Sequence, residues 1–392
     1  MIVQLKSFII AVMVISELTG SAAIAGSIPL VVPAKEERTV KIDRLIGEAI
    51  SRGLIAGADV IIGNSRVVLF EHSYGRMSSE TNAMLMETTT MFDLASLTKV
   101  VTTTPAILKL AEQKRISLVD PVVRWFPEFA EKGKDDLLVM HLLTHTSGLD
   151  DFPIAEEDSL RSAILGAASQ KNKGEIGSRF KYADINFILL GELVKRAGGI
   201  PLDRFAAEYI YNPLGMKDTL FSPDKGKTNR LSATIGAGNS LFIGVPQDYE
   251  ARRLGGVAGH AGLFSTGQDL SRFCRMLLGR GFFEGKRILS ERAVNQMTAP
   301  YFSRNGQVVR GLGWDISSPY SSPKGNGFSE VSFGHTGYSG TSIWIDPEND
   351  IFVVLLTART DYIKIKEFGQ LRGELSSRAA ELFGLTGVSG KQ

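Results

Sequence analysis

The sequence predicts an α/β fold of the α+β kind, an antiparallel sheet flanked by helices plus a mostly helical lobe. Three patterns lead there. Strand-like runs cluster near the two ends, at about residues 55–75 and 330–360. Between them apolar residues recur at helical spacing. Helical patterns at residues 40–53 and 371–383 bracket the strands. Strands from both ends therefore join in one sheet, and the middle of the chain supplies the lobe.

The elements follow in order. Residues 1–25 read as a signal peptide: Lys6, the apolar run from Phe8 to Ile15, and Ala23-Ile24-Ala25 before Gly26. Glu17 interrupts that pattern. The run is too short to span a bilayer, and no later stretch of about 20 apolar residues follows. Residues 26–40 form a flexible, Pro-containing charged leader. The catalytic unit is placed at 41–385 and a tail at 386–392. Val40 to Gly53 carries Ile42, Leu45, Ile46, Ala49 and Ile50 on one side. Ala58–Gly63 and Arg66–His72 read as a hairpin across Asn64-Ser65. Residues 96–112 carry Val100, Ile107, Leu110 and Ala111 on one stripe, and Pro105 predicts a kink one to two turns beyond residue 96. Asp184–Ala197, Leu202–Ile210, Gln268–Leu278 and Ser290–Met297 build the lobe. Ser342–Ile345 and Ile351–Thr357 flank the turn Asp346-Pro347-Glu348-Asn349-Asp350.

Composition excludes several classes. With 43% hydrophobic and 22% charged residues the chain is an ordinary globular protein. A formal charge of +2 gives no reason to expect nucleic acid or an anionic membrane as partner. A single cysteine rules out an intrachain disulfide, and Cys274 lies on the stripe Leu270, Phe273, Leu277, Leu278, as a core thiol would. The expected location is exported, periplasmic or secreted, with no stable membrane span once the signal is removed.

Ser96-Leu97-Thr98-Lys99 opens the 96–112 helix and places serine and lysine one turn apart on one face. Burial of that lysine is expected to lower its pKa from about 10.4 towards neutrality, giving a base for the serine proton. The same spacing occurs at Ser178/Lys181, Ser222/Lys225 and Ser321/Lys324. The last two contain Pro223 and Pro323 and read as turns, and the first lacks helical periodicity. Tyr182 precedes the Asp184 helix, where a phenol can move a proton. Asp184 is placed to cap that helix. Ser332 to Thr341 is glycine-rich and leads into a strand, so its backbone can approach a substrate and offer an N–H to an acyl oxygen. His141 and His145, four apart, could share a helix face. Position 142 is leucine, the His-Glu-x-x-His pattern is absent and no third ligand is obvious, so no metal is expected. Gly-x-Ser-x-Gly and a Walker-type phosphate loop are missing, and no cofactor is expected.

Taken together, Ser96-Leu97-Thr98-Lys99, Tyr182-Ala183-Asp184 and His335-Thr336-Gly337, in this order, resemble the serine β-lactamase-like family. That family includes class C β-lactamases, penicillin-binding D-Ala-D-Ala carboxypeptidases, D-aminopeptidases and esterases. His141-Leu142-Leu143-Thr144-His145-Thr146-Ser147-Gly148-Leu149 also looks like a family signature. The segment from Gly255 to Ser265, with Gly259-His260-Ala261-Gly262 at its centre, is similar to penicillin-binding protein 4B-type carboxypeptidases. The resemblance spans roughly residues 40–385 and implies the serine β-lactamase/DD-peptidase fold. It implies Ser96 as acylated nucleophile, Lys99 as its base and Tyr182 as proton carrier. The backbone N–H groups of Ser96 and Tyr338 would form the oxyanion hole. Asp184, His335, Thr336 and Gly337 would contact substrate, with His335 and Thr336 on its carboxylate. His260 would pack beneath the site.

Two residues depart from the family pattern. His335 stands where lysine is common, and a neutral imidazole attracts a carboxylate less. Asp184 stands where asparagine is common and cannot donate to a carbonyl unless protonated. Both turn the expectation away from strong β-lactamase activity. The expected function is an exported serine hydrolase, D-Ala-D-Ala carboxypeptidase-like or a related peptidase or amidase. An esterase or weak β-lactamase is the alternative, and an acylated sensor without turnover the non-enzyme one. Its partner is a small peptide, β-lactam or ester, with peptidoglycan as the natural source.

Overall fold

A computed structural model describes residues 35–171, 175–236, 238, 240–304 and 307–384. Helix α1 (Lys35–Ser51) leads into the hairpin β1 (Ile55–Gly63) and β2 (Val68–Gly75). The lobe is organised around α2 (Thr104–Glu112), α3 (Ile185–Gly198) and α4 (Gly267–Leu278). The chain returns through β3 (Phe333–Thr336), β4 (Ser342–Asp346) and β5 (Ile351–Arg359) to the last helix, α5 (Ile365–Phe383).

Strands from both ends form one antiparallel sheet in the order β3-β4-β5-β1-β2. At its centre β1 pairs with β5, with Val60 opposite Leu355 and Gly63 opposite Phe352. Both strands are almost wholly buried because both faces are covered. Val60, Ile62, Val353 and Leu355 pack against Ile42 and Ile46 of α1 and Leu371 and Leu375 of α5. Ile61, Val354 and Leu356, one residue out of step, join the lobe core with Phe273 and Cys274 of α4. That split is the period-two alternation of a strand. Cys274 is fully buried, and burial raises its thiol pKa.

Some boundaries differ from expectation. The helix expected from residue 40 begins at Lys35, so the last six residues of the supposed leader are helical. The signal peptide, the rest of the leader and the 386–392 tail lie outside the described residues. The 96–112 segment is three pieces rather than one kinked α-helix: a 3-10 turn at Ala95–Leu97, a π-helical turn at Lys99–Thr103, then α2. Pro105 lacks the N–H an α-helix would need there, and the wider turn ahead of it leaves the proline in the first turn of α2. Leu202–Ile210 likewise divides into a short helix, Leu202–Ala206, and a π-helical turn, Ala207–Tyr211. Among the described residues no helix is long and apolar enough to cross a membrane.

Candidate active site

Ser96 sits in the middle of the 3-10 turn, and the fold clamps that turn from several sides. Ala95 has φ +46°, a left-handed conformation that a non-glycine residue adopts only under constraint. The buried Asp93 supplies the constraint: Oδ1 accepts from Ala95 N at 2.9 Å and Oδ2 from Gln247 N at 2.7 Å. Burial pushes this carboxyl up to about 6, against those two hydrogen bonds. Behind the serine, Thr98 Oγ1 donates to the Ala95 carbonyl at 2.7 Å and accepts from Leu263 N at 3.2 Å.

Lys99 is fully buried. Its Nζ donates to Ser96 Oγ at 3.0 Å and to the His260 carbonyl at 3.1 Å, and lies 2.7 Å from Asp184 Oδ1. The spacing expectation therefore holds in space. The expected charge state does not. Burial by itself lowers the ammonium pKa, but Asp184 and the Tyr182 phenol more than reverse it, so the pKa is raised. Lys99 rests as an ammonium.

Asp184 immediately precedes α3, yet its side chain caps nothing. Asp151 Oδ1 accepts from Ile185 N instead, at 2.9 Å. Freed from capping, Asp184 turns to Lys99. The Tyr182 ring centre is 5.1 Å from Lys99 Nζ. His145 stacks on that ring at 4.4 Å, and its Nδ1 accepts from Ala183 N at 3.3 Å. His145 lies beyond the short helix Val139–Leu143, with φ +55°, while His141 Nδ1 accepts from Leu138 N. The two histidines do not share a helix face.

His335 is buried on β3, its ring centre 6.0 Å from that of Tyr182, and its Nδ1 lies 2.9 Å from the Thr336 carbonyl. Burial, Arg310 and Lys99 all hold its pKa well below the usual imidazole value, so the ring is neutral. Thr336, next along the strand, lines a cavity with Tyr320 and Arg372. Gly337 packs against the serine loop. A Cβ there would meet Thr341 Oγ1 at 2.1 Å and the Leu94 carbonyl at 2.4 Å, so glycine is required. The Tyr338 side chain is 63% exposed, lining a cavity of about 730 Å³ with Phe242, Gln247, Tyr249, Arg252 and Tyr362.

Two residues of the site, Arg310 and Asp248, carried no sequence signal of their role. Arg310 is buried with its guanidinium carbon 5.7 Å from the centre of the Tyr182 ring, a cation beside neutral His335. Asp248 Oδ1 lies 2.8 Å from His260 Nε2 and accepts from Ala251 N at 2.7 Å. Burial opposes that charge, but His260, the Ala251 N–H and Lys99 hold the carboxyl down at about 2. His145 was legible only as part of a signature. His260 lies beside Lys99, its carbonyl 3.1 Å from Nζ. Gly259 brings it there: a Cβ at that position would sit 2.0 Å from the Phe187 carbonyl, so only glycine lets the segment lie on α3.

Asp184, Asp248 and His260 offer ligand atoms within 4.8 Å of one another, a carboxylate–histidine cluster that the sequence did not reveal. The Lys99 ammonium already supplies positive charge at Asp184. The cluster is a charge network around the lysine. Serine beside a buried, carboxylate-paired amine and next to a phenol is equipped for acyl transfer.

Residues 42–369 match the Beta-lactamase family. The chain belongs to that family. A "Putative D-alanyl-D-alanine carboxypeptidase" of Escherichia coli strain K12 is 31% identical over 364 residues, covering 82% of each chain. An N-acetylmuramyl-L-alanine amidase of Bacillus subtilis strain 168 is 29% identical over 356 residues, 81% of this chain and 80% of the relative. Among solved structures, EstCE1, a hydrolase with promiscuous acyltransferase activity, superposes with a TM-score of 0.73 at 21% identity. It covers 88% of this chain and 99% of its own. This beta-lactamase family member has the serine β-lactamase fold expected from its sequence, and it is a serine hydrolase.

Proposed function

We propose that the protein is an exported hydrolase that cleaves peptidoglycan-type D-amino-acid peptides through an acyl-enzyme on Ser96. The observation that carries this reading is the position of Lys99 Nζ, 3.0 Å from Ser96 Oγ and 2.7 Å from Asp184 Oδ1. Ser96 Oγ attacks the scissile carbonyl. Lys99 takes the serine proton as it passes one of its own to the Asp184 carboxylate, so the ammonium is restored and Asp184 ends protonated. Tyr182 gives its phenolic proton to the departing amine and is reprotonated from Asp184 through Lys99; water then adds its hydroxyl to the acyl carbon and returns its proton to Ser96 Oγ, releasing the acid. The N–H groups of Ser96 and Tyr338 receive the developing oxyanion, each such donor being worth about 2.7–4 kcal/mol in the transition state.

Arg310, paired with the buried Asp315 at 4.0 Å, places a cation beside Tyr182 and His335 and so supports a carboxylate-bearing substrate. The cavity beside Tyr338 has room for an extended chain. Both curated relatives are named for an alanyl amide bond. Export is supported by the composition of the first 25 residues. Small esters are the second reading, favoured by the neutral His335.

Ser96→Ala is expected to abolish labelling by a fluorescent penicillin or a fluorophosphonate while leaving the fold intact. Undiminished labelling of that variant overturns the assignment. A side-by-side assay on a D-Ala-D-Ala peptide, nitrocefin and p-nitrophenyl acetate ranks the acyl groups; no turnover of the peptide overturns the substrate reading and leaves the ester one.

A further inference from the structure

Arg372, on α5, carries a charge with no carboxylate beside it among the described residues. Burial and the nearby Arg359 push its guanidinium down to about 9. Both guanidiniums lie against the ring of Phe368, with carbons 4.5 Å and 4.3 Å from its centre. Two cations buried side by side in this way are costly, and what they hold is the turn after β3. Arg372 Nη2 donates to the Gly337 carbonyl at 2.7 Å and to the Thr341 carbonyl at 2.8 Å. Arg359 donates to the Tyr338 carbonyl at 3.2 Å.

The Gly337 carbonyl and the Tyr338 N–H belong to one planar peptide unit and point in opposite directions. A cation donating to the oxygen fixes the plane and draws electron density from the nitrogen, so the N–H becomes a stronger donor. Among the described residues the Tyr338 N–H has no acceptor. The other side of the site is built alike. The Ala95 carbonyl, in one peptide with the Ser96 N–H, accepts from Thr98 Oγ1, and the Ser96 N–H too has no acceptor among the described residues.

We propose that Arg372 is a positioning residue for the oxyanion hole, orienting and polarising the Gly337–Tyr338 peptide from behind. This rests on the acyl-enzyme reading above. Its effect is confined to the transition state, because a neutral ground-state carbonyl gains little from the stronger donor.

The test uses the full chain with p-nitrophenyl acetate as substrate and phenylboronate as tetrahedral mimic. Arg372→Met is expected to lower kcat about 10–100-fold with KM within about threefold, and to weaken phenylboronate by the same factor as kcat. Arg372→Lys, which keeps the charge but reaches one carbonyl, should retain more kcat and covers the case in which Met does not fold. Arg372 lines a cavity of about 620 Å³, so guanidinium chloride added to Arg372→Ala should restore part of kcat. A folded Met or Lys variant with wild-type kcat overturns the proposal. So does a loss of kcat without weaker boronate binding, which marks a merely structural anchor. Turnover that survives Ser96→Ala in the otherwise unchanged chain instead overturns the acyl-enzyme reading, and this proposal with it.

Discussion

Asp184 Oδ1 lies 2.7 Å from Lys99 Nζ, so the lysine beside the nucleophile is held charged by a carboxylate that starts a distant helix. Burial opposes that charge, and Asp184 together with Tyr182 outweighs it. The resting site is therefore an ion pair with a proton to exchange, not a free amine.

Asp184→Asn removes the counter-charge and leaves burial in command. The Lys99 pKa is expected to fall, and with no carboxylate left to receive its proton the acid limb of kcat/KM should follow the Lys99 ammonium and lie at higher pH than in the wild type. A pH–rate profile on p-nitrophenyl acetate reads this directly; an unmoved limb would mean that Asp184 does not receive the proton. For stability the sign is that of a raised base. The pair's contribution is fully present below about 10.4 and is lost as pH rises through the folded-state value. The Asn variant should accordingly melt lower than wild type at neutral pH.

Asp248 anchors His260, whose carbonyl receives Lys99. Its carboxyl is held down at about 2, so the stability it contributes is present above about 3.9 and disappears as pH falls through about 2. Asp248→Asn should lower the melting temperature at pH 7, with the gap to wild type closing towards pH 2. It should also slow acylation, because the His260 carbonyl loses its anchor. Thermal melts at several pH values, with fluorophosphonate labelling rates at pH 7, check both.

Gly337→Ala would place a methyl 2.1 Å from Thr341 Oγ1 and 2.4 Å from the Leu94 carbonyl. Overpacking of this kind costs about 1–3 kcal/mol. The movement it forces separates β3 from the serine loop and misplaces the Tyr338 N–H, so acylation should slow by about tenfold or more. Denaturant unfolding and labelling kinetics measure the two effects. Normal acylation in a destabilised variant would separate the packing from the oxyanion hole.

Asp59, on β1, is wholly buried, and burial pushes its carboxyl up to about 7 despite the hydrogen bond from Ser73. The folded state favours the protonated form. Stability from this group is therefore fully present below about 3.9 and is lost as pH rises through about 7. Each unit of that displacement corresponds to about 1.4 kcal/mol. Asp59→Asn should be more stable than wild type at pH 9, with the advantage shrinking at pH 5; equal melting curves across that range would refute the buried acid.

The strands at residues 55–75 and 330–360, the helices of the lobe and the Ser96–Lys99 pair were legible because each rests on neighbours a few residues apart. A period of two or 3.6 is visible without a fold, and a serine and lysine three apart meet through one helical turn, 3-10 or α alike. Pro105 was read as a kink within one helix; the π-helical turn that ends just ahead of it was not legible. The local pattern does not say how the backbone will absorb a missing donor.

The charge states were not legible, because they depend on groups far apart in the chain. Lys99 alone would lose its charge on burial; it keeps it because α3 brings Asp184 and the 255–263 segment brings the His260 carbonyl. His335 reads as a missing cation until Arg310 arrives from another strand. Gly337 reads as a flexible bend until Leu94 is found against it. Residue order determined the chemistry available at Ser96. Packing decided its protonation, since a buried charge survives only where the fold supplies a partner.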